Sequence, residues 1–175
     1  MDYCVSNDFY QFSSNLDKNN TSYIYGEVNP IDIIDVLKEL NYENYSFLDI
    51  GSGCGKIILS VAHELNIFCT GVEIDISRYN RSIELLDKIN VEHNVEIFNN
   101  DFKNIYFGNY DIIYCANTVF EKEDNKLLYN KILREFNGYL FLFNYDYSLK
   151  KYLICQKNIK TSWSKNVVMY IFFIY

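Results

Sequence analysis

Apolar positions along the chain alternate between strand-length runs and helical stripes. Phe47-Leu48-Asp49-Ile50 is a short apolar run, and Ile57, Ile58, Val61, Ala62 and Leu65 follow it at helical spacing. Upstream, Asn29 is placed to cap a helix and Pro30 suits its first turn, with Ile31, Ile34, Leu37 and Leu40 on one face. Downstream, Phe68 to Val72 reads as a second strand that ends in Glu73-Ile74-Asp75. Asp75 or Ser77 caps the next helix, whose inner face includes Ile83, Leu86 and Ile89. Val95 to Phe98 and Tyr110 to Cys115 are the third and fourth strands. A helix over 122–136 turns Leu127, Leu128, Ile132 and Phe136 inward, Gly138 stops it, and Tyr139 to Asn144 is a fifth strand.

Residues 150–175 alternate as a hairpin about Ser164-Lys165-Asn166. The apolar run Val167–Tyr175 is nine residues long. A membrane helix needs about 20, so this run reads as a buried last strand. Residues 1–24 are polar and aromatic without a period, a lead segment before one domain over 25–175. Strands alternating with helices, closed by two consecutive strands, predict an α/β fold. Its sheet is mainly parallel with a C-terminal antiparallel hairpin, and helices cover both faces.

Between the first strand and its helix stands Asp49-Ile50-Gly51-Ser52-Gly53-Cys54-Gly55-Lys56, three glycines on alternate residues. Such a turn lets backbone approach a ligand closely, and the following helix start offers free N–H groups. A phosphate loop, G-x-x-x-x-G-K-[ST], fails twice: Ile50 stands at its first Gly and Ile57 at its Ser/Thr. A dinucleotide turn, G-x-G-x-x-G/A, fails at Lys56. D-x-G-x-G-x-G fits completely from Asp49 to Gly55, and its acid suits S-adenosylmethionine, which carries an ammonium and a sulfonium. Glu73 lies 20 residues after Gly53, where a nucleoside site places its ribose-binding acid. Asp101-Phe102 ends the third strand, with an acid for an adenine amino group and a ring to cover the base. All these residues fall at C-terminal strand ends, where open α/β sheets bind ligands.

Charge narrows the partners. Sixteen basic residues against 23 acidic ones give a net charge of −7, which argues against strong DNA binding by this chain alone. The cysteines at 4, 54, 69, 115 and 155 form no C-x-x-C pair, and only His63 and His93 accompany them, so no metal site is expected. An odd cysteine count and no signal-peptide pattern predict an intracellular protein, cytoplasmic or nuclear rather than secreted, with no membrane segment.

From about Tyr25 onward the chain resembles the class I S-adenosylmethionine-dependent methyltransferases, whose sheet is Rossmann-like. Within them it resembles the non-SET histone-lysine methyltransferases of the disruptor-of-telomeric-silencing family. Tyr25-Gly26-Glu27 is similar to that family's motif before its first helix, and Asp49-Ile50-Gly51-Ser52-Gly53 to its D-L-G-S-G turn. Gly71-Val72-Glu73 and Asp101-Phe102 match its ribose and adenine positions. Asn117-Thr118-Val119-Phe120 resembles its N-N-x-x-F loop, with Ala116 at the first Asn position. Lys56 stands where the family usually has Gln. Ser162-Trp163-Ser164 and Tyr170 resemble its final hairpin. The resemblance implies that Tyr25, Glu27, Asp49, Gly51, Ser52, Gly53, Glu73, Asp101 and Phe102 bind the cofactor. It implies that Asn117, Phe120, Trp163 and Tyr170 shape a channel for a lysine amine, with a protein substrate such as a histone. The competing readings are methylation of a non-histone protein or small molecule, and a cofactor-binding module without turnover.

Overall fold

The computed structural model describes residues 28–40, 43–89, 91–162, 164 and 166–175. The lead segment 1–24, Tyr25, Gly26, Glu27, Trp163 and Lys165 lie outside the described residues. Helix α1 (Pro30–Glu39) starts as its residues dictate: Asn29 Oδ1 accepts the Ile31 N–H at 3.2 Å, and proline occupies the first turn. Its buried stripe is Pro30, Ile33, Ile34 and Leu37, an i, i+3, i+4, i+7 pattern, with Val36 buried beside it. Ile31, expected inside, is 57% exposed because it sits one residue, about 100°, off that stripe.

The remaining elements are β1 (Ser46–Ile50), α2 (Lys56–Leu65), β2 (Phe68–Glu73), α3 (Ile76–Leu86), β3 (Val95–Asn99), β4 (Ile112–Cys115), α4 (Lys122–Glu135), β5 (Gly138–Leu142), β6 (Leu153–Ile159) and β7 (Val167–Ile174). They form one sheet in the order β3-β2-β1-β4-β5-β7-β6. β3 to β5 are parallel, and β7 runs antiparallel to both β5 and β6. The terminal hairpin is therefore present, with β7 inserted between β5 and the edge strand β6. The chain reverses direction across the sheet between β1 and β4, the position at which such sheets leave a crevice.

Alternation along each strand sorts the core into two layers. Phe47, Cys69, Tyr114, Phe141 and Ile171 pack with Ile33, Ile58 and Leu85 of α1, α2 and α3. Leu48, Val72, Ile113, Leu142 and Phe172 pack on the other face with Leu128 and Ile132 of α4, and with Phe102, Phe107 and Leu149 from short turns. Gly71 lets α2 and the glycine turn close onto β2: a Cβ there would stand 2.6 Å from Ile58 Cδ1 and 2.8 Å from Ser52 Oγ. Among the described residues, no helix is long and apolar enough to cross a membrane.

Two expectations are corrected in α4. Leu127, expected inside, is 48% exposed. The inward stripe is Asn125, Leu128, Tyr129 and Ile132, so two polar residues occupy places that hydrophobicity assigned to leucine. The helix ends at Glu135 with Phe136 as its extended cap, whereas Gly138 is the first residue of β5. Phe136, just past the last helical turn, still packs its ring into the α4-side core.

Candidate cofactor and target site

The glycine turn emerges at the end of β1. Gly51, Gly53 and Gly55 have φ of 76°, 57° and 82°, a left-handed region that side chains with a Cβ rarely adopt. The Gly51 and Ser52 N–H groups donate to Val72 O at 2.8 and 3.0 Å, fastening the turn to β2. Gly55 is the cap of α2, and no side chain caps that helix. Ser52 is buried, and its Oγ lies against Gly71 with no hydrogen-bond partner among the described residues.

Glu73 ends β2 and reaches back under the turn. Its Oε2 accepts the Gly53 N–H at 2.8 Å, and its Oε1 accepts the Asp75 N–H at 2.8 Å. Burial holds its carboxyl above the usual carboxylate range, although the Asp75 N–H, the Arg78 guanidinium and the Gly53 N–H pull it part of the way back. Each oxygen keeps a further lone pair for a ligand. Asp49 stands between Gly71 and Tyr114 in register and is 2% exposed. It has no hydrogen-bond partner among the described residues. Burial, with Glu73 adding its charge, holds this carboxyl well above the usual carboxylate range.

Asp101 caps the short turn after β3: Oδ1 accepts the Lys103 N–H at 2.9 Å, and the Lys103 ammonium stands 3.5 Å from Oδ2. The adjacent Phe102 ring is buried and stacks on Phe120, centroids 5.9 Å apart at 25°. Phe120 also lies over the turn, its Cε1 3.9 Å from where a Gly51 Cβ would be. The fold thus brings Phe102, Phe120 and the glycine turn together from three separate loops.

Asn117 is fully buried, and its amide is saturated. Its Oδ1 accepts the Phe143 and Asn144 N–H groups, both at 3.0 Å. Its Nδ2 donates to Asn125 Oδ1 at 2.6 Å, Asn144 O at 2.9 Å and Tyr129 OH at 3.2 Å. These bonds divert Phe143 and Asn144 from the sheet, which is why β5 stops at Leu142 rather than at Asn144. In this arrangement the side chain clamps the β4–α4 loop to the end of β5. Tyr170, on β7, is partly buried and packs edge-on against Tyr145, centroids 4.7 Å apart. Tyr145 also meets Phe172 at 5.2 Å, and sequence reasoning passed over it. Its only signal was its place after the fifth strand, beside Asn144. Asn125 and Tyr129 were missed too, although four-residue spacing puts both on one helix face.

The strand order, the glycine turn after β1 and the acid ending β2 define the class I methyltransferase fold. Solved structures agree in fold. An RNA methyltransferase from Salinibacter ruber, in complex with S-adenosylhomocysteine, is 16% identical, aligns 83% of this chain with 92% of its own, and has a TM-score of 0.67. Magnesium protoporphyrin IX methyltransferase from Synechocystis PCC 6803, with bound S-adenosylmethionine, is 11% identical over 82% of this chain and 77% of its own, TM-score 0.68. Coclaurine N-methyltransferase, bound to N-methylheliamine and S-adenosylhomocysteine, is 28% identical over 65% of this chain and 35% of its own, TM-score 0.53. Among curated proteins, no sequence matches the chain. The family is given by its sequence model: the histone methylation protein DOT1 family matches residues 11–113, more than half of the 175, and the chain belongs to it. The match ends within β4, before the Asn117–Phe120 loop and the final hairpin.

Proposed function

We propose that this chain binds S-adenosylmethionine at the glycine turn and transfers its methyl group to a lysine amine of a protein, with a histone as the first candidate. The observation that carries the cofactor half is Asp49, a buried carboxyl without a partner among the described residues, beneath a turn of three left-handed glycines. A buried acid without a partner is costly, and a bound ammonium beside a sulfonium would compensate it. Membership of the DOT1 histone methylation family supports the lysine half.

Bound S-adenosylmethionine supplies a methyl group on sulfur, open to in-line displacement by an amine. In this reading Asp49 meets the cationic end of the cofactor. Glu73 uses its remaining lone pairs for the ribose hydroxyls, and Asp101 with Phe102 takes the adenine. Tyr25 and Glu27 belong to the same set by their family positions. Phe120, Tyr145 and Tyr170 wall the path of the target amine, and Trp163 is assigned there by the hairpin motif. Their task is to hold the amine about 3 Å from the methyl and exclude water. A lysine begins near pKa 10.4. Burial among aromatic walls beside positive charge favours its neutral, nucleophilic form, so no dedicated base is needed.

Calorimetry with S-adenosylhomocysteine tests the cofactor site. Glu73→Ala is expected to lose about 1.5–3 kcal/mol, typical of bonds to a charged group, and Gly53→Val to block the close approach. Unchanged affinity in both variants would sink the assignment. Radiolabelled S-adenosylmethionine offered with free core histones, nucleosomes and cell extract tests the substrate class. Label on small molecules alone would overturn the lysine reading.

A further inference from the structure

The α4-side core contains a polar node where a Rossmann-like layer is ordinarily apolar. Asn125 and Tyr129 point inward from α4 to meet Asn117 and the Asn144 backbone. Tyr129 OH lies 2.8 Å from Asn144 O and 3.1 Å from Asn125 Oδ1. Asn125 Nδ2 donates to Phe120 O at 3.0 Å and to Glu121 O at 3.3 Å. Asn144 Nδ2 donates back to Asn117 O at 3.3 Å. Each member is satisfied by another, so the node has one low-energy arrangement. Burial pushes the Tyr129 phenol up to about 12, which keeps it a donor throughout the working range.

The node touches two segments that carry the aromatic walls. Through Asn125 it holds the backbone of Phe120, whose ring covers Gly51 and stacks on Phe102. Through Asn117 it holds Phe143 and Asn144, immediately before Tyr145, whose ring packs on Tyr170. One hydrogen-bonded cluster, buried at Asn117 and Tyr129, therefore holds both segments.

We infer that Asn125 and Tyr129 are positioning residues, which act through Asn117 to hold Phe120 over the cofactor turn and Tyr145 against Tyr170. The inference rests on the methyltransferase reading only for its ligand. Its geometric part is testable in the ligand-free protein.

The test uses the full chain with ¹³C-labelled phenylalanine rings, the Phe120 signal being assigned by its loss in Phe120→Leu. Asn125→Ala and Tyr129→Phe are expected to move that signal, as the ring leaves its stack on Phe102, while the signal of Phe47, in the opposite core layer, stays in place. S-adenosylhomocysteine affinity should fall about fivefold to tenfold, as one hydrogen bond is worth. In a Phe120→Ala background the same substitutions should change affinity less than about twofold, because the ring they position is gone. Should Asn125→Ala unfold the chain, Tyr129→Phe removes a single oxygen and carries the test. A Phe120 signal that stays in place in a folded variant, or equal affinity losses in both backgrounds, would overturn the inference and leave the node as core stabilisation. If the wild-type chain does not bind S-adenosylhomocysteine, the cofactor reading fails, and the ring signal still decides the positioning.

Discussion

Asp49→Asn is expected to stabilise the ligand-free protein while weakening its hold on the cofactor. The wild-type carboxyl is 2% exposed, finds no hydrogen-bond partner among the described residues, and shares its surroundings with Glu73. An unsatisfied buried polar group costs about 1–3 kcal/mol, and more when charged. An amide of the same shape carries no charge to desolvate and no repulsion towards Glu73. The sign follows from linkage. An aspartate titrates near pKa 3.9 in the unfolded chain, and burial raises this one in the folded chain. Between those two values the folded state binds the extra proton, so wild-type stability falls as pH rises through the window and is level above it. The Asp49→Asn variant loses that component of the slope, and the gap between the two proteins opens as pH rises. At 1 kcal/mol per about 2–4 °C for a chain of this size, the gain at pH 8 is roughly 2–12 °C in melting temperature. Scanning calorimetry from pH 5 to 8 reads it directly. Ligand reverses the order: at 100 times its dissociation constant, S-adenosylmethionine stabilises the wild type by about 2.7 kcal/mol, and the variant by much less. Because a cationic ligand favours the ionised carboxylate, wild-type affinity should also rise with pH until Asp49 of the free protein has titrated. A variant less stable than wild type at pH 8, or one that binds S-adenosylmethionine equally well, would refute the assignment of a buried, ligand-seeking charge.

Gly71→Ala would push a methyl group to 2.6 Å from Ile58 Cδ1 and 2.8 Å from Ser52 Oγ. It should destabilise the fold by about 1–3 kcal/mol, seen as a lower melting temperature, and an unchanged one would mean that α2 yields freely. Tyr170→Ala should impair methyl transfer to protein far more than S-adenosylhomocysteine affinity, because the loss falls on holding the amine. Parallel loss of affinity and secondary structure would make Tyr170 core only. With 16 basic residues against 23 acidic ones, the chain should bind free DNA weakly at physiological salt, and free histones should serve at least as well as nucleosomes. Tight, salt-sensitive DNA binding or label confined to intact nucleosomes contradicts that expectation.

Local chemistry determined the frame. Strand, glycine turn and helix from Ser46 to Leu65 are written in adjacent residues, as are the Asn29 and Asp75 caps and the alternation of the final hairpin, and each forms as read. The spacing from Gly53 to Glu73 placed the acid at the end of β2, because a strand–turn–helix–strand unit has nearly fixed length. What required the tertiary structure are the relations between segments that pairing and burial bring together. That Glu73 would receive the Gly53 and Asp75 N–H groups, and that Asp49 would be left without a partner, depends on the register of β1 against β2 and β4. That Phe120 would stack on Phe102 depends on two loops meeting at the chain reversal between β1 and β4. The inward stripe of α4 escaped the hydrophobic pattern for a related reason. Asn125 and Tyr129 can turn inward because Asn117 and Asn144 satisfy them, and polar residues whose partners lie elsewhere in the chain read as surface until the fold supplies those partners.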